Sequence, residues 1–280
     1  MLQKYDKSKS SLLLAIAAAG GIAFSGTAMA AEAGCSLEDG FQKGLAAYVA
    51  EASVCMDEAT NFETGLADNL FSEINQQRQA NGLAPLNRRA SLDMAAKAHA
   101  LDMSVRIFAA HSDLEGRDHL HRIRAFDRTM LVGASGSNVT VSPAAADAAS
   151  IHASITRDRF SQDNVLRQSF TDVGIGVVEE AGQFYVVQVF AAAEGDLDKA
   201  LPVSARSGSH SLSAQFQNRD QRVAAWGLVD IQSGETLARS DVPRVRLGNM
   251  RGAEAAELNI LVADHGNTYV LKGPMVSGQK

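Results

Sequence analysis

The stretch from Phe62 to Gly116 constrains the fold of this chain more than any other, because it carries two strong helix signals with a turn between them. Leu66, Leu70, Phe71 and Ile74 recur at spacings of three and four, so one face of the first segment is apolar while Glu73, Gln76, Gln77 and Arg78 occupy the other. Asn81-Gly82 supplies a left-handed stop. After Pro85-Leu86, Ser91 is placed to cap a second helix whose inward stripe is Leu92, Ala95, Ala96, His99 and Met103. Small side chains in that stripe let a second layer approach closely.

The N-terminus reads as a secretory signal peptide over residues 1–30. Lys4, Lys7 and Lys9 precede the apolar run from Leu12 to Phe24, and Ala28-Met29-Ala30 offers a small-residue cleavage site. A membrane anchor is the competing reading, but Gly20-Gly21 interrupts the run and it is short for a span. Cys35 has no leucine three residues ahead of it, which argues against a lipoprotein site. The expected destination is the periplasm or the exterior, with no transmembrane anchor after cleavage. Removing the segment takes away three lysines and Asp6, so the formal charge of -6 becomes about -8. An acidic chain without basic runs or aromatic platforms is a poor partner for nucleic acid or anionic membrane surfaces.

Cys35 and Cys55 both lie in the exported portion, where an even pair is expected to form a disulfide. Closing a loop of that size stabilises by about 3 kcal/mol in the chain-entropy model. Their spacing matches no zinc pattern. Between them Phe41, Leu45, Tyr48, Val49 and Ala52 sit at helical spacing, so residues 31–61 are expected to be a short helical segment clipped onto the main body.

Farther along, Glu115 to Phe126 is dense in charge and histidine and reads as a loop entering a short helix with a basic end. Leu131 to Val141, broken by glycine and serine, reads as a loop leading into a short segment. Pro143 to Ala153 reads as a helix with Pro143 in its first turn, and Asp158 to Leu166 as a turn-bearing stretch. The period then changes to two: Asp172–Val178 and Gln183–Phe190 form a predicted hairpin. Residues 194–209 are small, polar and charged and read as a linker. Residues 210–280 are all β in texture, and a small sandwich-like domain is expected. Periodicity alone supports a mixed α+β domain followed by a β-domain.

One succession of residues says more. Asn75, Arg78, Gly82-Leu83-Ala84-Pro85-Leu86, Leu92, Ala95-Ala96, His99-Ala100, Asp102-Met103, His111-Ser112 and Gly116 are followed by Arg122-Ile123, Gly136-Ser137-Asn138-Val139, Ser161 to Leu166, Val173 to Val177 and Tyr185 to Ala191. This order resembles the bacterial branch of the CAP superfamily, which includes cysteine-rich secretory proteins, insect venom antigens and plant pathogenesis-related proteins. The resemblance covers residues 62–193, and it implies a three-layer α/β/α sandwich.

The resemblance also implies a cavity, which in intact members presents two histidines and two acidic residues able to bind a divalent metal. Here His111 matches the first histidine, the glutamate position falls on Ser137, and the second histidine position falls on Ser161. The cavity set is therefore His111, Ser137, Asn138, Ser161 and Asn164. One imidazole flanked by hydroxyls does not make a zinc site, so no metal, no cofactor and no catalytic residue are expected. His119 and His121 form an H-x-H that would aim two imidazoles the same way on a strand; their charged surroundings favour a solvated loop. No G-x-S-x-G elbow and no cysteine beside a histidine is present. The implied function is non-catalytic binding of a small apolar ligand, a lipid or a cell-envelope protein or other envelope component. The alternatives are a metal-assisted hydrolase or peptidase, and a scaffold presenting the C-terminal β-domain as the binding module.

Overall fold

In the computed structural model, residues 35–204, 209–242, 244–247, 250 and 252–278 are described. The expected signal peptide lies outside them. Helix α1 (Leu45–Glu58) is followed by α2 (Thr64–Ala80), the two-residue β1 (Asn87–Arg88), α3 (Ala90–Arg106) and α4 (His119–Phe126). Then come β2 (Met130–Pro143), α5 (Ala148–Ile155), α6 (Arg159–Leu166), β3 (Asp172–Glu180) and β4 (Gln183–Leu197). The last part is all β: β5 (Ser209–Ser211), β6 (Ala214–Phe216), β7 (Arg222–Asp230), β8 (Thr236–Ser240), β9 (Arg244–Arg246), β10 (Ala255–Asp264) and β11 (Asn267–Ser277).

Three layers follow from how the strands divide their side chains. Odd residues of β4, Tyr185, Val187, Val189 and Ala191, pack with α1, α3 and α4 around Tyr48, Leu92, Ala96 and Ile123. Even residues, Phe184, Val186, Phe190 and Ala192, pack with α2, α5 and α6 around Leu70, Ile74, Ile151 and Val165. The small stripe of α3 has its counterpart in β3, where a Cβ on Gly174 would collide with the Leu92–Asp93 backbone and one on Gly176 would lie 2.5 Å from the Ala96 backbone. Glycine in the strand and alanine in the helix are what bring helix and sheet into contact.

The paired residues of the first helix have a structural task. Asn75 accepts from the Leu86 amide at 2.8 Å and donates to the Leu86 carbonyl at 3.2 Å, which fixes the turn after α2. Arg78 is 1% exposed and donates to the carbonyls of Ala84 at 2.8 Å, Val165 at 2.8 Å and Arg167 at 3.0 Å, tying that turn to α6. Gly82 takes φ +70° at the stop. The β3–β4 hairpin turns on Ala181-Gly182, both with positive φ (50° and 74°).

Several local expectations are corrected. Ser91 does not cap α3; Arg89 holds the cap position and the Ser91 hydroxyl donates to Asp127 instead. The loop expected over Leu131–Val141 is strand β2, paired along its whole length with β4. Its glycine has a packing reason, since a Cβ on Gly136 would meet Asn164 at 2.5 Å. Pro143 ends that strand, and the helix after it begins only at Ala148, capped by Asp147. Asp158 to Leu166 is a helix, capped by the Asp158 carboxylate on the Ser161 amide at 2.8 Å. Short side chains capping a backbone N–H give the start signal in both cases. β4 runs on to Leu197, so the connection to the C-terminal strands is shorter than the linker expected over 194–209.

The C-terminal strands extend the same sheet, in the order β1-β3-β4-β2-β11-β10-β7-β8, with β6 beside β4. β11 meets β2 through the single pair Lys272–Val132. Strands β5 and β9 form a separate two-stranded sheet, and Val245 and Leu247 join Leu228, Leu258, Ile260 and Val262 in one core, a small two-layer β-module. Helix α4 bolts this module on. Arg124, 4% exposed, donates to the carbonyls of Gly273 at 2.6 Å and Leu258 at 2.9 Å and pairs with Glu257.

Candidate functional site

Cys35 and Cys55 form a disulfide at the start of the described chain, and Cys55 is buried against the α1 and α3 layer. The bridge closes the N-terminal segment onto that face.

The five residues expected to line a cavity gather around strand β2, but on two faces of it. Ser137 points toward α4 and is 5% exposed; the next residue, Asn138, points toward α6 and is fully buried. On the α4 side the exposed His111 places Nδ1 3.0 Å from the Ser137 hydroxyl. On the α6 side Asn138 donates to the Ser161 carbonyl and to Gln188 Oε1, both at 3.1 Å, and accepts from Asn164 at 2.9 Å. Asn164 also donates to the Ser137 carbonyl at 3.2 Å, linking the groups. The Ser161 hydroxyl turns away to Asp158 at 2.9 Å, so Ser161 contributes backbone, not side chain.

His119 and His121 are not in a solvated loop. Asp118 caps α4 by accepting from the His121 amide at 2.7 Å, and both rings lie in the first turn, half-buried. Two residues of helix separate them by about 200°, so they face apart. The His119 ring lies 3.4 Å from the Ser137 hydroxyl. His121 packs edge-on against Tyr48 with ring centroids 6.2 Å apart. Burial pulls the His119 pKa below its usual value, against the pull of nearby Asp118, and burial with the Arg117 charge brings His121 down to about 4. Both imidazoles are neutral at pH 7. Ser137 is thus a buried hydroxyl between two imidazoles, one of them exposed.

Two further buried polar residues, neither placed in the expected cavity set, complete the cluster. Arg122 is 1% exposed and donates to the His111 carbonyl at 2.7 Å and the Arg117 carbonyl at 2.6 Å, so it sets the loop that presents His111. Its signal in the sequence was the Arg122-Ile123 landmark of the family resemblance. Gln188 is the one polar side chain in the run Tyr185 to Ala191 and lies buried against Asn138.

The donor set does not suit a divalent metal. His111 and His119 supply two imidazoles, and the neutral Ser137 hydroxyl is no substitute for the further His, Cys or carboxylate that a three- or four-ligand zinc site uses. Among the described residues the one histidine, cysteine or carboxylate group whose ligand atoms converge within 4.8 Å is Asp102, Asp113 and Glu115. Arg106 and Arg117 already occupy it, with N–O distances of 2.6 to 3.1 Å. Two open pockets lie elsewhere. One of about 510 Å³ is lined by Lys43, Leu114, Arg117, His121 and Gln232, and one of about 420 Å³ by Leu37, Leu101, Val105 and the disulfide.

Residues 71–190, from α2 through β4, match the model of the cysteine-rich secretory protein (CAP) family. That stretch is a CAP domain. No curated protein matches the sequence. Among solved structures, an outer surface protein of Borrelia burgdorferi is 16% identical, covers 45% of this chain and 91% of its own, and gives a TM-score of 0.41. An extracellular protein of Bacillus anthracis containing an SCP domain is 19% identical over 51% of this chain and 43% of its own, with a TM-score of 0.40. A cysteine-rich secretory protein of Staphylococcus aureus is 13% identical over 48% of this chain and 40% of its own, with a TM-score of 0.34. The CAP domain contributes the three-layer part of the fold, and the β-module follows it. No helix among the described residues is long and apolar enough to cross a membrane.

Proposed function

We propose that this is an exported CAP-domain protein that acts by binding and not by catalysis, holding an amphiphilic ligand, a lipid or another cell-envelope component, at the His111 cleft. The disulfide and the signal-like N-terminus support export. The observation that carries the ligand class is the placing of the two most exposed large apolar side chains. Ile107 and Phe160, each 81% exposed, belong to the two segments that carry His111 and Ser161. Exposed apolar side chains on the two segments that also carry His111 and Ser161 suit a molecule with an apolar body and a polar head. Ser137, 5% exposed, is poorly accessible as a nucleophile.

The test is mass spectrometry of lipids and peptides that co-purify with the mature protein, repeated on Ile107→Ser/Phe160→Ser. A lipid retained by the wild type and lost from the double variant supports the reading; equal recovery from both removes it. The convergence of His111 and His119 on Ser137 favours one competitor, a metal-assisted hydrolase. Zinc calorimetry distinguishes it, as set out below.

A further inference from the structure

We infer that residues 107–112 form a strap that lifts off α3 when His99 takes up a proton, so that the His111 cleft opens as the pH falls from neutral to mildly acidic. The strap stands on its own geometry, and only the consequence for a bound ligand rests on the cleft reading.

Between the end of α3 and Asp113 the backbone leaves every helix and strand, and it bonds back only at its first step, where the Ile107 and Phe108 amides both reach the Met103 carbonyl. From Ala109 to Ser112 no backbone–backbone bond is made among the described residues. Two side chains hold the strap instead, on consecutive carbonyls: His99 Nε2 donates to Ala110 at 2.7 Å and Arg122 donates to His111 at 2.7 Å. A third bond, His111 Nδ1 with the Ser137 hydroxyl at 3.0 Å, ties it to β2. Most of the strap is exposed, yet His99 beneath it is 1% exposed, with Phe108 edge-on to its ring at 5.9 Å between centroids. Lifting these residues is what brings His99 to water. The two ends define what moves. Ile107 is a β-branched residue at φ +53°, a left-handed conformation whose strain an extended one relieves. At the far end the Asp113 carboxylate is fixed on buried Arg117 at 2.7 Å, so the movement stops there.

His99 resists a proton while the strap is down. Because a carbonyl only accepts, Nε2 carries the hydrogen and Nδ1 is the bare nitrogen, which is buried and bonded by no described residue. A proton added there gains no partner, and Arg122 from α4, His111 from the strap and Arg106 from α3 itself all oppose it. Asp102, on the same helix, is committed to Arg106 at 2.6 Å. In the core that α3 shares with α1 and β4 the titratable side chains are two phenols, Tyr48 and Tyr185. Burial first and Arg122 next hold the His99 pKa at about 3 under the strap, against about 6.5 once in water. The closed state is therefore fully favoured above about pH 6.5 and loses its advantage as the pH falls toward about 3. Lifting the strap draws His111 from Ser137 and carries Ile107 with it, so a ligand held in the cleft is released over the same window.

The test is backbone amide exchange by NMR on the mature protein at pH 7 and pH 5, each rate corrected for its intrinsic pH dependence. The protection of Ile107 and Phe108 should fall about 25-fold between the two, as pKa values of about 3 and about 6.5 require. Val187, in the middle of β4 and paired on both sides, reports unfolding of the whole domain and should stay far better protected at both pH values. His99→Gln keeps a donor for the Ala110 carbonyl without a titrating ring and should cut the change to within about threefold, while His119→Gln, on α4, should leave it intact. A wild-type change below about threefold would overturn the proposal, as would protection no lower than that of Val187, which would mean that the strap opens only with the domain. So would a slope that His119→Gln abolishes and His99→Gln keeps, which would give the proton to α4. The wild-type comparison decides even where the His99 variant does not fold. Lipid that co-purifies at pH 7 should be lost on washing at pH 5; retained lipid beside the expected exchange would count against the cleft reading alone.

Discussion

Arg124 donates to the backbone carbonyl of Gly273, 149 residues farther along the chain, at 2.6 Å. Together with Arg128, which reaches the carbonyls of Leu201 at 2.8 Å, Pro202 at 3.0 Å and Met275 at 2.6 Å, it makes helix α4 the anchor of the C-terminal β-module. Removing one partner of such a buried set costs about 3 kcal/mol. Arg124→Met should lower the melting temperature and split one unfolding transition into two, as calorimetry would show. We propose a boundary within residues 198–209, where limited proteolysis should cut first. The two fragments should stay together on gel filtration until Arg124 is replaced.

Joining Cys35 to Cys55 closes a loop with a sequence separation of 20. Replacing both cysteines with serine should cost about 3 kcal/mol and lower the melting temperature without abolishing folding, because the CAP domain keeps its two cores. Loss of all cooperative unfolding in the double variant would show that the bridge supports the whole domain.

Zinc should bind weakly to the mature, tag-free protein, since His111 and His119 are two imidazoles and Ser137 adds only a neutral hydroxyl in place of a third His, Cys or carboxylate. Tight stoichiometric binding in calorimetry, lost in both His111→Ala and His119→Ala, would refute this and return the metal-assisted hydrolase to the lead.

Stability should fall as the pH drops below about 6.5. His99 is 1% exposed, its Nε2 lies 2.7 Å from the Ala110 carbonyl, and burial with the charges of Arg122, His111 and Arg106 brings its pKa down to about 3. A histidine whose folded pKa lies below its unfolded value binds its proton more readily when unfolded, so its contribution is full above the unfolded pKa and is lost as pH falls toward the folded one. Between pH 7 and pH 5 His99 alone should remove about 2 kcal/mol. Denaturant titrations at several pH values would measure the slope, and His99→Gln should flatten it.

Much of the CAP domain was legible from residues whose neighbours in space are also neighbours in sequence. The 3.6-residue stripe of α2, the stop at Asn81-Gly82 and the small face of α3 are local patterns, and the hairpin turn at Ala181-Gly182 lies between runs of period two. The pairing of Asn75 and Arg78 with the turn that follows α2 is nearly as local. Strand β2 was misread because its glycines and serines look like a loop until Asn164 and α6 supply the packing that requires Gly136. The H-x-H at His119 and His121 was read as a solvated loop because its neighbours are charged, and only the Asp118 cap makes it the first turn of a helix that sends the rings apart. What the sequence by itself determined is the stripes of α2 and α3, the β3–β4 hairpin and the disulfide pair. What tertiary structure alone decided is that Ser137 and Asn138 serve opposite faces of one strand, that His119 comes to Ser137, and that Arg124 joins the β-module to the CAP sheet. Each of these depends on which backbone groups are left unpaired when distant segments meet, and no local pattern records that.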